Sequence, residues 1–292
     1  MTNIPNRSLP PTTSAPPPDE TGLAGIVASA KRHALLFFDY FTQYAKVRIS
    51  YRGDFFISLA TSFAATIFSL GFVYYLFKKS PQVAGWNFHE VLFLWGFAQI
   101  PYGLFNVISL NLYEFGNNYI IEGKFDRVLL RPVSSLFQVL FENFRIESLQ
   151  EVVTGTFCMA WATHELGLHW SPAKFGTLVF FGACAGIIYV SIFLLLSTVS
   201  FWFEDRIGVH PPVWNVIAFG RWPLSIYSSA VQFFLCWIIP FGLASYYPSV
   251  RMLGRTTSPE YLAYVPVVAL ASLAIAVSVW NSGTRHYSST GS

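Results

Sequence analysis

The sequence predicts an all-α integral membrane protein: six transmembrane helices, an amphipathic helix at the membrane interface before them, and a short charged helix between the second and third. Three observations carry this. The chain of 292 residues is 53% hydrophobic and only 11% charged, where a soluble domain carries about 25% charge. Uncharged apolar runs recur that reach the ~20 residues a helix needs to cross a ~30 Å hydrocarbon core. Between two of them sits "NNYIIEGKFDRVLLRPVSSLFQVL", Asn117 to Leu140, which is charged yet keeps an apolar stripe.

The N-terminal tail, residues 1–21, is rich in Pro, Ser and Thr and has no apolar h-region of a signal peptide. Such a composition buries too little surface to offset its ordering entropy, so a disordered tail is expected. Residues 22–52 alternate Leu35, Leu36, Phe37, Phe38, Phe41, Tyr44 and Val47 with Lys31, Arg32, Asp39, Gln43, Lys46 and Arg48. That spacing predicts a helix along the inner leaflet, its basic side chains reaching the headgroups, that braces the first span.

The transmembrane domain occupies residues 53–282, with a short tail at 283–292. Its expected spans are Phe55–Phe77, Val91–Leu112, Ile146–Thr163, Phe175–Phe203, Ala230–Tyr247 and Leu262–Trp280. The second is interrupted by Gln99, Pro101, Asn106 and Asn111. The third carries Glu147 and Glu151 in its first turns, one helical turn apart, and reads as an interfacial pair near Arg145. The fourth is longer than a span needs, so it tilts or protrudes. The fifth contains Pro240. Pro211–Ser228, aromatic and broken by Pro223, reads as a second interfacial segment.

Six spans put both termini on one side. Lys31, Arg32, Lys46, Arg48, Arg52, Lys124, Arg127, Arg131, Arg145, Arg206, Arg221 and Arg285 fall on that side; Lys78, Lys79, Lys174, Arg251 and Arg255 fall on the other. Basic residues accumulate in cytoplasmic loops, so the termini and the charged insert are expected in the cytoplasm.

Several chemistries lack their residues. There is no GxxxxGK[ST] to cradle a nucleotide phosphate and no GxSxG elbow. In "THELGLH" the two histidines, His164 and His169, are five apart, whereas HExxH needs four to place both imidazoles on one helix face. Cys158, Cys184 and Cys236 lie in apolar runs and read as small buried hydrophobes. No basic run with interleaved aromatics suggests nucleic acid. An enzyme is therefore not expected, nor a metal or cofactor on this chain. What the spans retain is aromatic and small-polar, and Trp95, Phe97, Asn106, Phe233 and Trp237 are the candidates for a pathway lined by spans two and five. Helix packing and lipid contact are the competing reading of the same side chains.

In the insert, Ile120, Ile121, Phe125, Val128 and Leu129 form the apolar stripe, with Lys124, Asp126, Arg127 and Arg131 around it; Pro132 suits the first turn of a following helix. A short amphipathic helix held between two spans is shaped to enter a groove on another protein. The phrase "EGKFDRVLLRPVSSLFQVL" resembles the ABC-2 family of ABC-transporter permeases, in its six-span bacterial subgroup. So do "GRWPLSIYSSAVQFFLCWIIPFGLASYYPS", "ISYRGDFF" ahead of the first span and the closing "RHYSS". The likeness covers nearly all of the chain after residue 30.

The resemblance implies the six-helix fold of ABC-2 exporters in the bacterial cytoplasmic membrane. It implies a dimer with a second permease, identical or different, and a separate ABC ATPase that holds ATP and Mg. The element at about residues 117–135 matches the family's coupling helix, with Glu122, Lys124, Phe125, Asp126, Arg127, Leu129 and Arg131 at the ATPase contact. Phe125 and Leu129 would form its buried edge. Substrates of the family include lipids, glycans and drug-like molecules. The alternatives are a secondary transporter, which calls for inverted repeats or intramembrane charges, and a non-transporting membrane scaffold.

Overall fold

The computed structural model describes residues 35–44, 46, 52–203, 210–255 and 260–288. The expected N-terminal tail, residues 1–21, and most of the expected interface helix lie outside these. The helices are α1 (residues 35–44), α2 (Arg52–Lys79), α3 (Phe88–Tyr113), α4 (Lys124–Leu129), α5 (Ser135–Phe141), α6 (Leu149–Glu165), α7 (Pro172–Thr198), α8 (His210–Phe219), α9 (Ser229–Phe233), α10 (Phe241–Met252) and α11 (Glu260–His286). Among the described residues the sole β-bridge joins Val83 and Trp86 in a turn.

Local sequence sets the long helices. Asn87 and Glu90 close a capping box on α3, each side chain bonded to the other's backbone N–H (2.9 and 3.0 Å). Ser171 caps α7 through the Lys174 N–H, and Pro172 supplies a preset first turn. Asp54 at the start of α2 and Lys78 and Lys79 at its end match the helix dipole. Beyond α3 the chain continues as a π-helical turn, Gly116–Ile121; such turns recur at functional sites.

Among the described residues, four helical runs are long and apolar enough to cross a membrane: Gly53–Lys79, Phe88–Ile121, Pro172–Phe201 and Glu260–His286. They contain the first, second and sixth expected spans, and the fourth up to Phe201. The third expected span is the shorter α6, 17 residues led in by a 3-10 turn at Ile146–Ser148, about 25 Å of helix. It lies along α3 with the backbones in close approach. A Cβ on Gly96 would come within 2.7 Å of the Gly155 carbonyl oxygen, and one on Gly155 within 2.8 Å of Gln99 Cβ. Small residues permit this approach between helices in a bilayer. Gly155→Leu is expected to part α3 from α6 and remove the protein from the membrane fraction, whereas Gly176→Leu, where a Cβ meets nothing, is expected to leave its yield unchanged on an immunoblot.

The fifth expected span is corrected. Ser229–Ile238 and Phe241–Met252 form a pair bent by 102° at Pro240. The ends of this pair and its middle lie at different levels. Gly220 abuts the Phe241 backbone, and Phe241 packs on Tyr189 in the body of α7 (5.1 Å between rings). Met252 instead lies with Phe93, Leu168 and Trp170, and the Arg255 beyond it bonds Glu90 near the start of α3. The pair goes inward as far as Pro240 and returns, as a re-entrant hairpin.

Pro211–Ser228, expected to lie in the interface, instead runs lengthwise. Pro211 and Trp214 sit beside Tyr113 at the far end of α3, and Ser225 accepts a hydrogen bond from Trp86 at its near end. Gly220 and Pro223 break the helix, so an apolar window of normal length does not reveal this traverse.

Ten consecutive residues of the expected interface helix are described, as α1. In α1, Phe37 and Phe41 stack edge-on against Phe144, and Phe37 also against Phe141 (5.2–5.6 Å). The described part of this helix thus packs on the end of α5 and the segment after it. Phe38 and Leu35 remain exposed.

Candidate functional site: the charged helix and a buried polar centre

The charged insert folds as two short helices at the end of the molecule where α3, α7 and α11 also terminate. Gly123, at φ +67°, makes the left-handed turn into α4. Phe125 then points into the chain's own core and is fully buried. Its ring meets Tyr287 (5.0 Å), Phe201 (5.2 Å), Phe115 (5.8 Å) and Trp280 (6.1 Å). α5 clamps the other side: Gln138 Nε2 donates to the Val128 and Val133 carbonyls (3.1 and 2.9 Å). Trp280 Nε1 donates to Ser135 Oγ, and the Tyr119 hydroxyl donates to Glu142. Burial, followed by the neighbouring Asp126 carboxylate, pushes the Tyr287 phenol up to about 12, so it stays protonated against the cage.

This corrects the expected face. Phe125 and Leu129 share a spacing but not an environment, because the aromatic cage takes Phe125 and leaves Leu129 outside. The free apolar surface is Leu129 (48% exposed), Leu130 (84% exposed) and Ile121. Around it lie Arg127 and Arg131 and the surface ion pair Lys124–Glu122 at 2.7 Å, of a kind that adds little stability. Arg131 donates to the Tyr40 hydroxyl of α1 (3.4 Å).

The five pathway residues are not brought together. Trp95, Phe97 and Asn106 are buried on α3 within the chain. Phe233 and Trp237 lie on the re-entrant hairpin, 59% and 45% exposed, and Trp237 stacks on Tyr264 of α11 (5.4 Å). Phe97 borders an apolar cleft of about 350 Å³ between α3 and α7 with Ile100, Leu104, Leu178 and Gly186.

Sequence reasoning missed a polar centre in the middle of α3. Glu151 is partly buried: its Oε2 accepts from Asn106 Nδ2 at 2.7 Å, and Glu147 beside it is buried. Arg221, expected in a cytoplasmic loop, lays its guanidinium 3.9 Å from the centre of the Tyr102 ring. Tyr102 is about 20 Å along α3 from its cap. A charge at such depth costs roughly 2.5–3.5 kcal/mol, which the ring face and the nearby carboxylate offset. The signals available in the sequence were the polar residues Asn106 and Glu151 within apolar runs and a lone Arg between Gly220 and Pro223.

At the opposite end Arg255 is clamped. It donates to both Glu90 oxygens (2.9 and 2.7 Å) and to the Gly85 carbonyl, and lies over the Trp86 indole at 4.1 Å. No group of three or more His, Cys, Asp and Glu side chains suited to a metal ion occurs among the described residues. A family model described as ABC-2 family transporter protein matches residues 63–291. No curated protein and no solved structure matches the chain.

Proposed function

The chain belongs to the ABC-2 transporter family, an integral membrane family whose permeases work with an ABC ATPase, and from that premise we propose that it is the permease subunit of an ATP-driven exporter. The observation that carries this reading is α4. It is anchored to the core through the buried Phe125, yet presents Leu129 and Leu130 outward among Arg127, Arg131 and Glu122. An apolar knob with a charged rim, on a rigid base, fits a groove on another protein. With no P-loop in the sequence, energy enters through that contact, from ATP and Mg held by the ATPase.

In this reading the chain crosses the membrane six times, by α2, α3, α6, α7, the broken stretch 210–226 and α11. The hairpin 229–252 dips in from outside. The α4 end and both termini face the cytoplasm of a bacterial cell, and a second permease completes the dimer. The uncharged cleft between α3 and α7 and the exposed Phe233 and Trp237 suit a hydrophobic or amphipathic cargo, such as a lipid, glycan or drug-like molecule.

The three cysteines Cys158, Cys184 and Cys236 are buried, so single introduced cysteines report topology. A membrane-impermeant maleimide is expected to label Ile226→Cys in intact cells and Ser134→Cys only after the membrane is opened. Labelling of Ser134→Cys from outside overturns the orientation. For the function itself, the tagged chain is expected to purify with a vanadate-sensitive ATPase in fixed ratio; a chain that purifies alone at full yield contradicts the proposal.

A further inference from the structure

The break in the stretch 210–226 is held by contacts from two other helices, α10 and α3. At its centre, the Gly220 carbonyl accepts a hydrogen bond from Ser245 Oγ of α10 (3.0 Å), and Gly220 has no room for a Cβ against the Phe241 backbone. The next residue, Arg221, reaches the Tyr102 ring of α3. Asn106, one turn further along α3, holds the Glu151 carboxylate of α6. Arg221 and Arg145 both lie within electrostatic range of that carboxylate.

The same cluster connects to the α4 end. The Arg145 N–H donates to the Val107 carbonyl of α3 at 2.7 Å, and its neighbour Phe144 packs on α1 and on Phe141 of α5. A continuous series of contacts thus runs from α5 through the start of α6 to Arg221 and on to the hairpin. Arg221 is also incompletely satisfied where it lies. Its Nε is buried without a hydrogen-bond partner, while a carboxylate that could receive a guanidinium stands nearby. A guanidinium that trades a ring face for a bidentate carboxylate contact is a two-state element, and ionisable groups at this depth mark working parts of membrane proteins.

We propose that Arg221 is a positioning residue for transport: with Tyr102, Asn106 and Glu151 it forms a joint through which movement begun at α4 reaches the re-entrant hairpin. This rests on the permease reading. Lys carries the charge but not the planar, stacking, forked group, so it does not replace Arg here.

The test uses the complex of the full chain with its ATPase in nanodiscs, with spin labels at Gln82 and Val231, both at the surface. Addition of ATP and vanadate is expected to change the label distance in the parent protein. Arg221→Met, Arg221→Lys and Glu151→Gln are each expected to reduce the shifted population at least ten-fold while leaving ATPase association and thermal midpoint near the parent's. The double variant Arg221→Met with Glu151→Gln is expected to be no worse than either single change. A full distance change in Arg221→Met, restoration by Arg221→Lys, or additive losses in the double variant overturns the joint. Loss of stability with an unaltered distance change assigns the cluster to folding alone and overturns it as well. A parent protein that binds no ATPase removes the permease reading, and the joint with it; that result is distinguishable because it is seen before any substitution is made.

Discussion

Phe125→Ala is expected to be the most damaging single change at the α4 end. The ring is fully buried among Phe115, Phe201, Trp280 and Tyr287, and these come from the extension of α3, the end of α7 and the end of α11. Removing it leaves a cavity that none of three helix termini can collapse to fill. Truncating a buried Phe to Ala costs about 3–5 kcal/mol. The expected outcome is a thermal midpoint lowered by many degrees in detergent, and α4 released from its seat to proteolysis between Glu122 and Arg131. Phe125→Leu, which keeps most of the apolar volume, is expected to recover much of the loss.

Leu129→Ser with Leu130→Ser is expected to have the contrasting effect. Both side chains are outside the core, so the midpoint is expected to stay close to the parent's. The loss falls on association. A Leu side chain contributes roughly 1.5–3 kcal/mol when fully buried, and each ~1.4 kcal/mol is a factor of ten in affinity. Two such losses weaken ATPase binding by about 100-fold or more, measured by titrating purified ATPase onto nanodisc-held chain. The two substitutions together separate a helix that is built into the permease from a surface that docks on it, a distinction the apolar stripe alone does not draw.

The sequence made the long elements legible and the turned ones not. α2, α3, α7 and α11 hold long apolar runs with no charge at their centres, and a hydropathy window answers to that. The hairpin 229–252 contains as many apolar residues as a span, but composition carries no direction. The 102° bend at Pro240 and the close approach of Gly220 to Phe241 are features of the fold that composition does not carry. The stretch 210–226 is the converse case, a lengthwise path hidden by Gly220, Arg221 and Pro223.

At α4 the stripe was legible, but not which of its members faces inward. Phe125 and Leu129 are both apolar; the partners that decide between them, Phe201, Trp280 and Tyr287, stand far along the chain. The polar centre was hidden for the same reason. Asn106 and Glu151 are 45 residues apart, and each alone reads as an interruption in an apolar run. Among the pathway candidates, Trp95, Phe97 and Asn106 are interior, whereas Phe233 and Trp237 stand on an exposed surface.

The central claim, that a separate ATPase drives this chain through α4, is tested most directly by placing a photo-crosslinking amino acid at Leu130 in native membranes. The account predicts one major adduct, containing a nucleotide-hydrolysing ATPase subunit, and no such adduct from the same probe at Val267, which is exposed on α11. Adducts at position 130 formed only with lipid, or with no ATPase present, contradict it.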